Sequence, residues 1–188
     1  MGERGAIRRA QADDPVPAIV VTGPFGAGKS TVAEAVAEVL GHHRIRHALI
    51  DMDFLRSVYP HSGGDAFRVQ LGLRNLAAIW PSLRDEQIAC VVLADVVEHP
   101  DQVADFERAM PGARVTIARL DVPMPILFAR LEMRETPDAV EAYQESASNL
   151  QTIMEKAGVG DIVIDVGERE PHDVAAEILR TSGFLPRL

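Results

Sequence analysis

Gly23-Pro24-Phe25-Gly26-Ala27-Gly28-Lys29-Ser30 fits the pattern G-x-x-x-x-G-K-[ST] at every fixed position. Just before it, Ala18-Ile19-Val20-Val21 is a short β-branched run suited to a central strand buried on both faces. Just after it, Val32, Val36, Val39 and Leu40 recur at helical spacing, which predicts a helix over 29–40 with Gly41 as its stop. Strand, glycine-rich turn and helix in that order give the match its meaning. The glycines let the backbone curl so that successive N–H groups face phosphate oxygens, and the helix N-terminus adds a positive dipole end. The stretch therefore predicts a cradle for a nucleoside triphosphate, built on the backbone of Gly23, Gly26, Ala27 and Gly28. In it Lys29 reaches the β- and γ-phosphates, Ser30 offers a hydroxyl to magnesium, and Thr31 adds an α-phosphate contact.

The rest of the chain alternates strand and helix outward from this stretch. Residues 1–17 carry mixed charges, Gly and Pro without apolar periodicity, and are expected to be a flexible tail. A second strand is expected at 48–50, then a Pro/Gly turn over 60–64 and a helix over 67–80. That helix would bury Val69, Leu73, Leu76, Ala77 and Trp80, with Arg68 and Asn75 on another face. Further strands are expected at 88–93, 115–120 and 162–164. Helices are expected near 102–109, over 125–134 and 138–156 with Pro137 between them, and from Pro171 to a stop at Gly183. Such alternation means parallel β-α-β units with right-handed crossovers, and residues 18–188 read as one three-layer α/β domain.

Bulk properties narrow the function. A chain of 188 residues with 47% hydrophobic and 25% charged residues suits one globular domain. The formal net charge of −9 argues against general nucleic-acid binding, which needs clustered Lys and Arg. No apolar stretch is long enough to span a bilayer and the N-terminus lacks an apolar signal core, so a cytoplasmic location without membrane contact is expected. The single cysteine, Cys90, sits in an apolar run and reads as a core residue in a reducing compartment. His42, His43 and His47 flank a turn with no carboxylate or Cys in register and read as loop histidines rather than metal ligands.

A short chain with this P-loop on its first strand resembles the nucleotide and metabolite kinases, among them the adenylylsulfate, shikimate, gluconate and nucleoside monophosphate kinases. The resemblance covers nearly the whole ordered chain in element order, and the P-loop is its sharp part. No Asn-Lys-x-Asp segment of the guanine-recognising switches occurs. The resemblance implies a five-stranded parallel sheet in the order 2-3-1-4-5, which periodicity alone does not give. It also implies ATP (or another nucleoside triphosphate) and magnesium as cofactors, and transfer of the γ-phosphoryl group to a hydroxyl. The acceptor partner would be a small metabolite, a nucleoside or nucleotide, or an antibiotic, as in the chloramphenicol phosphotransferases. Monomer and homodimer both stay open. A nucleotide-binding regulatory protein with slow hydrolysis is the alternative, though a switch needs no acceptor-side carboxylate.

A second point of resemblance is Asp51-Met52-Asp53-Phe54-Leu55-Arg56 at the end of the second strand. Adenylylsulfate kinases carry Asp-x-Asp-x-x-Arg there. Strand alternation directs the two carboxylates differently at the sheet edge where α/β ligands bind. By analogy Asp51 faces hydrated magnesium, while Asp53 orients and deprotonates the acceptor hydroxyl. Arg56 would hold an anionic part of the acceptor. The alternative for these acids is a solvated cap on the following helix. Arg130 and Arg134, four apart on one helix face, resemble lid arginines that close over the triphosphate; pairing with neighbouring acids is the other reading. Asp95 ends the third strand and could touch metal or acceptor, or be structural, and Arg68 and Asn75 complete the acceptor candidates. The glycine-rich acceptor loop of shikimate kinases and the basic and aromatic residues that hold adenylylsulfate are absent, so the acceptor is not named.

Overall fold

The computed structural model describes residues 15–60 and 67–184. Five strands, β1 (Val16–Thr22), β2 (His47–Asp51), β3 (Cys90–Ala94), β4 (Ala113–Asp121) and β5 (Ile162–Asp165), form one sheet in the order β2-β3-β1-β4-β5. Every pairing is parallel, as the strand–helix alternation requires. The helices are α1 (Lys29–His42), α2 (Met52–Leu55), α3 (Val69–Asp85), α4 (Val103–Ala109), α5 (Met124–Arg134), α6 (Pro137–Ala157) and α7 (Pro171–Thr181). A 3-10 turn, Pro100–Gln102, leads into α4.

Side chains alternate across β1 and split the core into two layers. Ile19 and Val21 pack with Val32, Val36 and Leu40 of α1 and Val174 and Ile178 of α7. Ala18 and Val20 face the other way, onto Leu76 and Trp80 of α3, Phe106 of α4 and Met154 of α6. The register sets Val21 and Asp51 both opposite Ala94, so β1, β2 and β3 end together. Gly23, Met52 and Asp95, the residues just past these three ends, therefore begin their loops at one sheet edge. That is the edge where ligands bind in open parallel sheets.

Several boundaries differ from expectation. The first strand starts at Val16, two residues before the expected Ala18, and the fourth at Ala113, because all of β1 pairs with β4, from Val16 opposite Ala113 to Thr22 opposite Arg119. Positions 1–14 of the expected tail lie outside the described residues, as do positions 61–64 of the expected turn and positions 185–188. Gly41 does not stop α1, which runs to His42. The left-handed residue that turns the chain is Arg44 at φ 55, and the Ile45 N–H returns to the Leu40 carbonyl at 3.0 Å. α3 continues through Pro81 to Asp85. Leu83 carries its apolar stripe past the proline, and the Trp80 indole N–H donates to the Pro111 carbonyl at 3.0 Å. That burial and bond offset the one ladder donor that Pro81 lacks.

The stripe of α3 also needs correction. Ala77 is exposed, and Gly72 is buried in its place. A Cβ on Gly72 would lie 3.3 Å from the Met52 methyl and 3.6 Å from the Arg56 Cβ. The absent side chain is what lets α2 seat directly on α3. Cys90 is fully buried in the core, and burial pushes its thiol up to about 12, so it carries no thiolate chemistry.

Candidate active site

The P-loop closes between β1 and α1. Gly23, at φ 154, leaves no room for a side chain: a Cβ there would stand 3.0 Å from the Ala27 Cβ and 3.1 Å from the Leu120 carbonyl oxygen. Gly28 caps α1 in the left-handed region, with no side-chain cap and no acidic residue in the first turn. The first N–H groups of a fourteen-residue helix are thus left for an anion. Lys29 reaches back across the loop, donating to the carbonyls of Gly23 and Pro24 at 3.2 Å each, with its ammonium 5.8 Å from the Phe25 ring centroid. Burial pulls Lys29 down to about 8, against the upward pull of Asp53, Asp95 and Asp51.

Asp51 joins the loop to the second strand. The Ser30 hydroxyl donates to its Oδ2 at 2.6 Å, and its Oδ1 accepts the Asp53 N–H at 2.9 Å. One carboxylate therefore both caps α2 and meets the P-loop hydroxyl, so the two readings of this residue are compatible. Two hard oxygen donors side by side are the chemistry magnesium takes, and the residues present fit that ion. Asp53 stands out of the cap, its side chain 84% exposed, with the Arg56 Nε 3.3 Å away.

Arg56 is occupied on several sides. It donates to the Met52 carbonyl at 3.2 Å and is paired with both Asp53 and Asp95. Asp95 is buried and also accepts the Val96 N–H at 2.7 Å. Burial holds its carboxyl above the usual carboxylate range, while Arg56 and the Val96 N–H oppose that rise. Asp95 thus reaches the site through Arg56.

A cleft of about 610 Å³ opens between the P-loop, α2, the start of α3 and α6. Gly26, Gly28, Lys29, Ser30 and Thr31 of the P-loop and the start of α1 line it, together with Asp53, Arg56, Val69, Glu98 and Arg134. Arg130 lies behind the loop, donating to the Ala27 carbonyl at 3.4 Å. Arg134 pairs with the adjacent Glu135 and lies 6.0 Å from the Tyr143 ring. The two lid candidates thus divide: one braces the loop, and the other combines a neighbouring acid with a place on the cleft wall. Arg68 and Asn75 are not among the lining residues. Arg68 donates to the Val58 carbonyl at 2.8 Å, and its Nη2 is buried with no hydrogen-bond partner among the described residues. Asn75 donates to the Leu55 carbonyl at 2.6 Å. Both hold the chain between α2 and α3.

Sequence reasoning missed the aromatic side of the cleft. Phe25 and Tyr143 meet edge-on, with ring centroids 5.9 Å apart. Phe25 occupies a variable position of the motif and gives no signal there. Tyr143 belongs to a cleft-facing set on α6 with Ser146, Asn149, Leu150 and Ile153, whose spacing of three, four and seven marks one helix face. His42 and His47 each bond a nearby backbone carbonyl. No group of three or more His, Cys, Asp or Glu that could hold a metal occurs among the described residues. No helix among them is long and apolar enough to cross a membrane.

No family model matches the chain, and no curated protein matches it. Solved structures do. A sugar kinase from a Janibacter species superposes with a TM-score of 0.62 at 20% identity, over 92% of this chain and 97% of that one. An APS kinase from Mycobacterium tuberculosis gives 0.60 at 17% identity, over 90% and 99%. A shikimate kinase from Acinetobacter baumannii gives 0.58 at 23% identity, over 93% and 98%. The structural neighbours are P-loop small-molecule kinases, and the chain has their fold, including the strand order expected from the resemblance.

Proposed function

We propose that this protein transfers the γ-phosphoryl group of ATP, with magnesium, to a hydroxyl of a small molecule. The observation that carries the reading is the meeting of Lys29 and Asp53 across one cleft, above the Ser30–Asp51 contact of 2.6 Å. A cation for phosphates, an oxygen pair for a metal and an exposed carboxylate for a hydroxyl are the parts that transfer needs.

The loop N–H groups and Lys29 bind the triphosphate, and Ser30 and Asp51 would hold magnesium. The metal, when bound, offsets the charge on the β- and γ-phosphate oxygens. Asp53, oriented by Arg56, accepts a hydrogen bond from the acceptor hydroxyl. As the acceptor oxygen bonds to phosphorus, the bond to the β-phosphate oxygen breaks, ADP leaves, and the hydroxyl proton passes to Asp53. Phe25, Tyr143 and Arg134 border the transfer path and limit water there.

The test is ADP release with Mg-ATP, alone and with a broad acceptor panel. Slow release alone and much faster release with a suitable acceptor is the expected result, because closure around both ligands assembles the site. A panel without effect, beside a protein partner that accelerates hydrolysis, would favour a regulatory nucleotide binder instead.

A further inference from the structure

We infer that the acceptor is an uncharged hydroxyl compound with an apolar body, carrying neither carboxylate nor phosphate. This rests on the kinase reading above and adds a substrate class to it. Of the described residues lining the cleft, the basic ones are Lys29, Arg56 and Arg134. Lys29 lies on the P-loop over Phe25, and Arg134 lies over Tyr143, which meets Phe25 edge-on, so those two stand together toward the phosphate side. Arg56 is the basic residue on the acceptor side, and the fold already matches its charge with Asp95 and Asp53. Its side chain is only 11% exposed. Residues 61–66, between α2 and α3, have neither Lys nor Arg in their sequence.

Negative charge is the surplus there. Asp53 is exposed, and the Glu98 carboxylate lines the same cleft without an ion-pair partner among the described residues. An anionic acceptor would bring a like charge toward both carboxylates, with no uncompensated cation among the described residues that line the acceptor side to receive it, which lowers affinity. The remaining wall is apolar: Phe67, 62% exposed, with Val69, Val96, Leu150 and Ile153. Asn149 and Ser146 add neutral hydrogen-bonding groups. Apolar walls with a few polar groups suit a body with its own apolar face and hydroxyls at one end. Transfer to that hydroxyl balances as before, with its proton going to Asp53 and ADP leaving.

Matched pairs that keep every hydroxyl and differ by one anionic group test this: the methyl ester of 4-nitrophenyl β-D-glucuronide against the free acid, and the methyl ester of shikimate against shikimate. ADP release with saturating Mg-ATP gives kcat/KM for each, and melting temperature with a non-hydrolysable ATP analogue reports binding. The neutral member of a pair should exceed its anionic twin by about 10-fold or more. Glu98→Gln should narrow that ratio several-fold. An anionic twin used equally well or better would overturn the inference while leaving the kinase reading intact, and would point to Arg68 as the missing cation. Acceptance of no compound from either arm would count against both.

Discussion

If the cleft holds nucleotide and acceptor as proposed, its two walls are built in opposite ways. The phosphate wall is backbone: a loop whose tight fit at Gly23 and uncapped helix start at Gly28 follow from eight consecutive residues. The acceptor wall is side chains from distant segments: Asp53 and Arg56 of the α2 region, Val69 of α3, Glu98 after β3 and Asn149 of α6. A backbone wall suits a ligand group common to many proteins, since every residue brings the same N–H. A side-chain wall can change its ligand without changing the fold.

The difference can be broken most directly at Lys29, the side chain of the phosphate wall that would meet the transferred charge. Lys29→Ala should fold normally and lose phosphoryl transfer by at least ~10²-fold, with a smaller thermal stabilisation by Mg-ATP. Steady-state rates and melting curves measure both.

The next effect is set by pH. Lys29 is lowered from 10.5 to about 8 by burial, so in the free protein it loses its proton as pH rises past about 8. A triphosphate selects the cationic form, so Mg-ATP affinity should fall by up to about tenfold per pH unit above that point. Lys29→Met should remove this dependence. The stability linkage has the opposite sign. The unfolded chain binds more protons between about 8 and 10.5, so the ligand-free protein should gain stability across that window relative to Lys29→Met. Calorimetric titration and denaturant melts at several pH values check the two signs.

The smallest expected effect belongs to the acceptor wall's supports. Asn75→Ala removes the bond to the Leu55 carbonyl and should cost about 1 kcal/mol in urea unfolding. Mg-ATP affinity should stay put, because Asn75 bonds to Leu55 and is not among the described residues that line the cleft. A large loss of nucleotide affinity would mean that the two walls are coupled.

Legibility in the sequence followed the same division. The P-loop, its strand and its helix were readable because their signals are local: β-branched residues, a fixed motif, helical spacing. Asp51 and Asp53 were readable as a pair at a strand end. The double duty of Asp51, as cap and as partner of Ser30 twenty-one residues earlier, depends on β1 and β2 ending together across β3. The pairing of Arg56 with Asp95 could not be read, because the two lie thirty-nine residues apart. Gly72 carried no periodic signal, since its role is the space it leaves for Met52. The helix expected to end at Trp80 runs on to Asp85, where burial of Leu83 outweighs the donor that Pro81 lacks. In each case a contact between distant segments decided what local pattern could not.

The central claim is that donor and acceptor chemistry sit on separate walls, and Asp53→Asn tests it most directly. The change keeps the side chain's size and removes its charge. Mg-ATP affinity, by calorimetric titration, should move less than about twofold, while transfer to a working acceptor should fall by roughly 10²-fold or more. Asp51→Asn, measured alongside, should weaken the magnesium dependence of nucleotide binding. Full transfer activity in Asp53→Asn would contradict the account: the carboxylate would then be a solvated partner of Arg56 and no more.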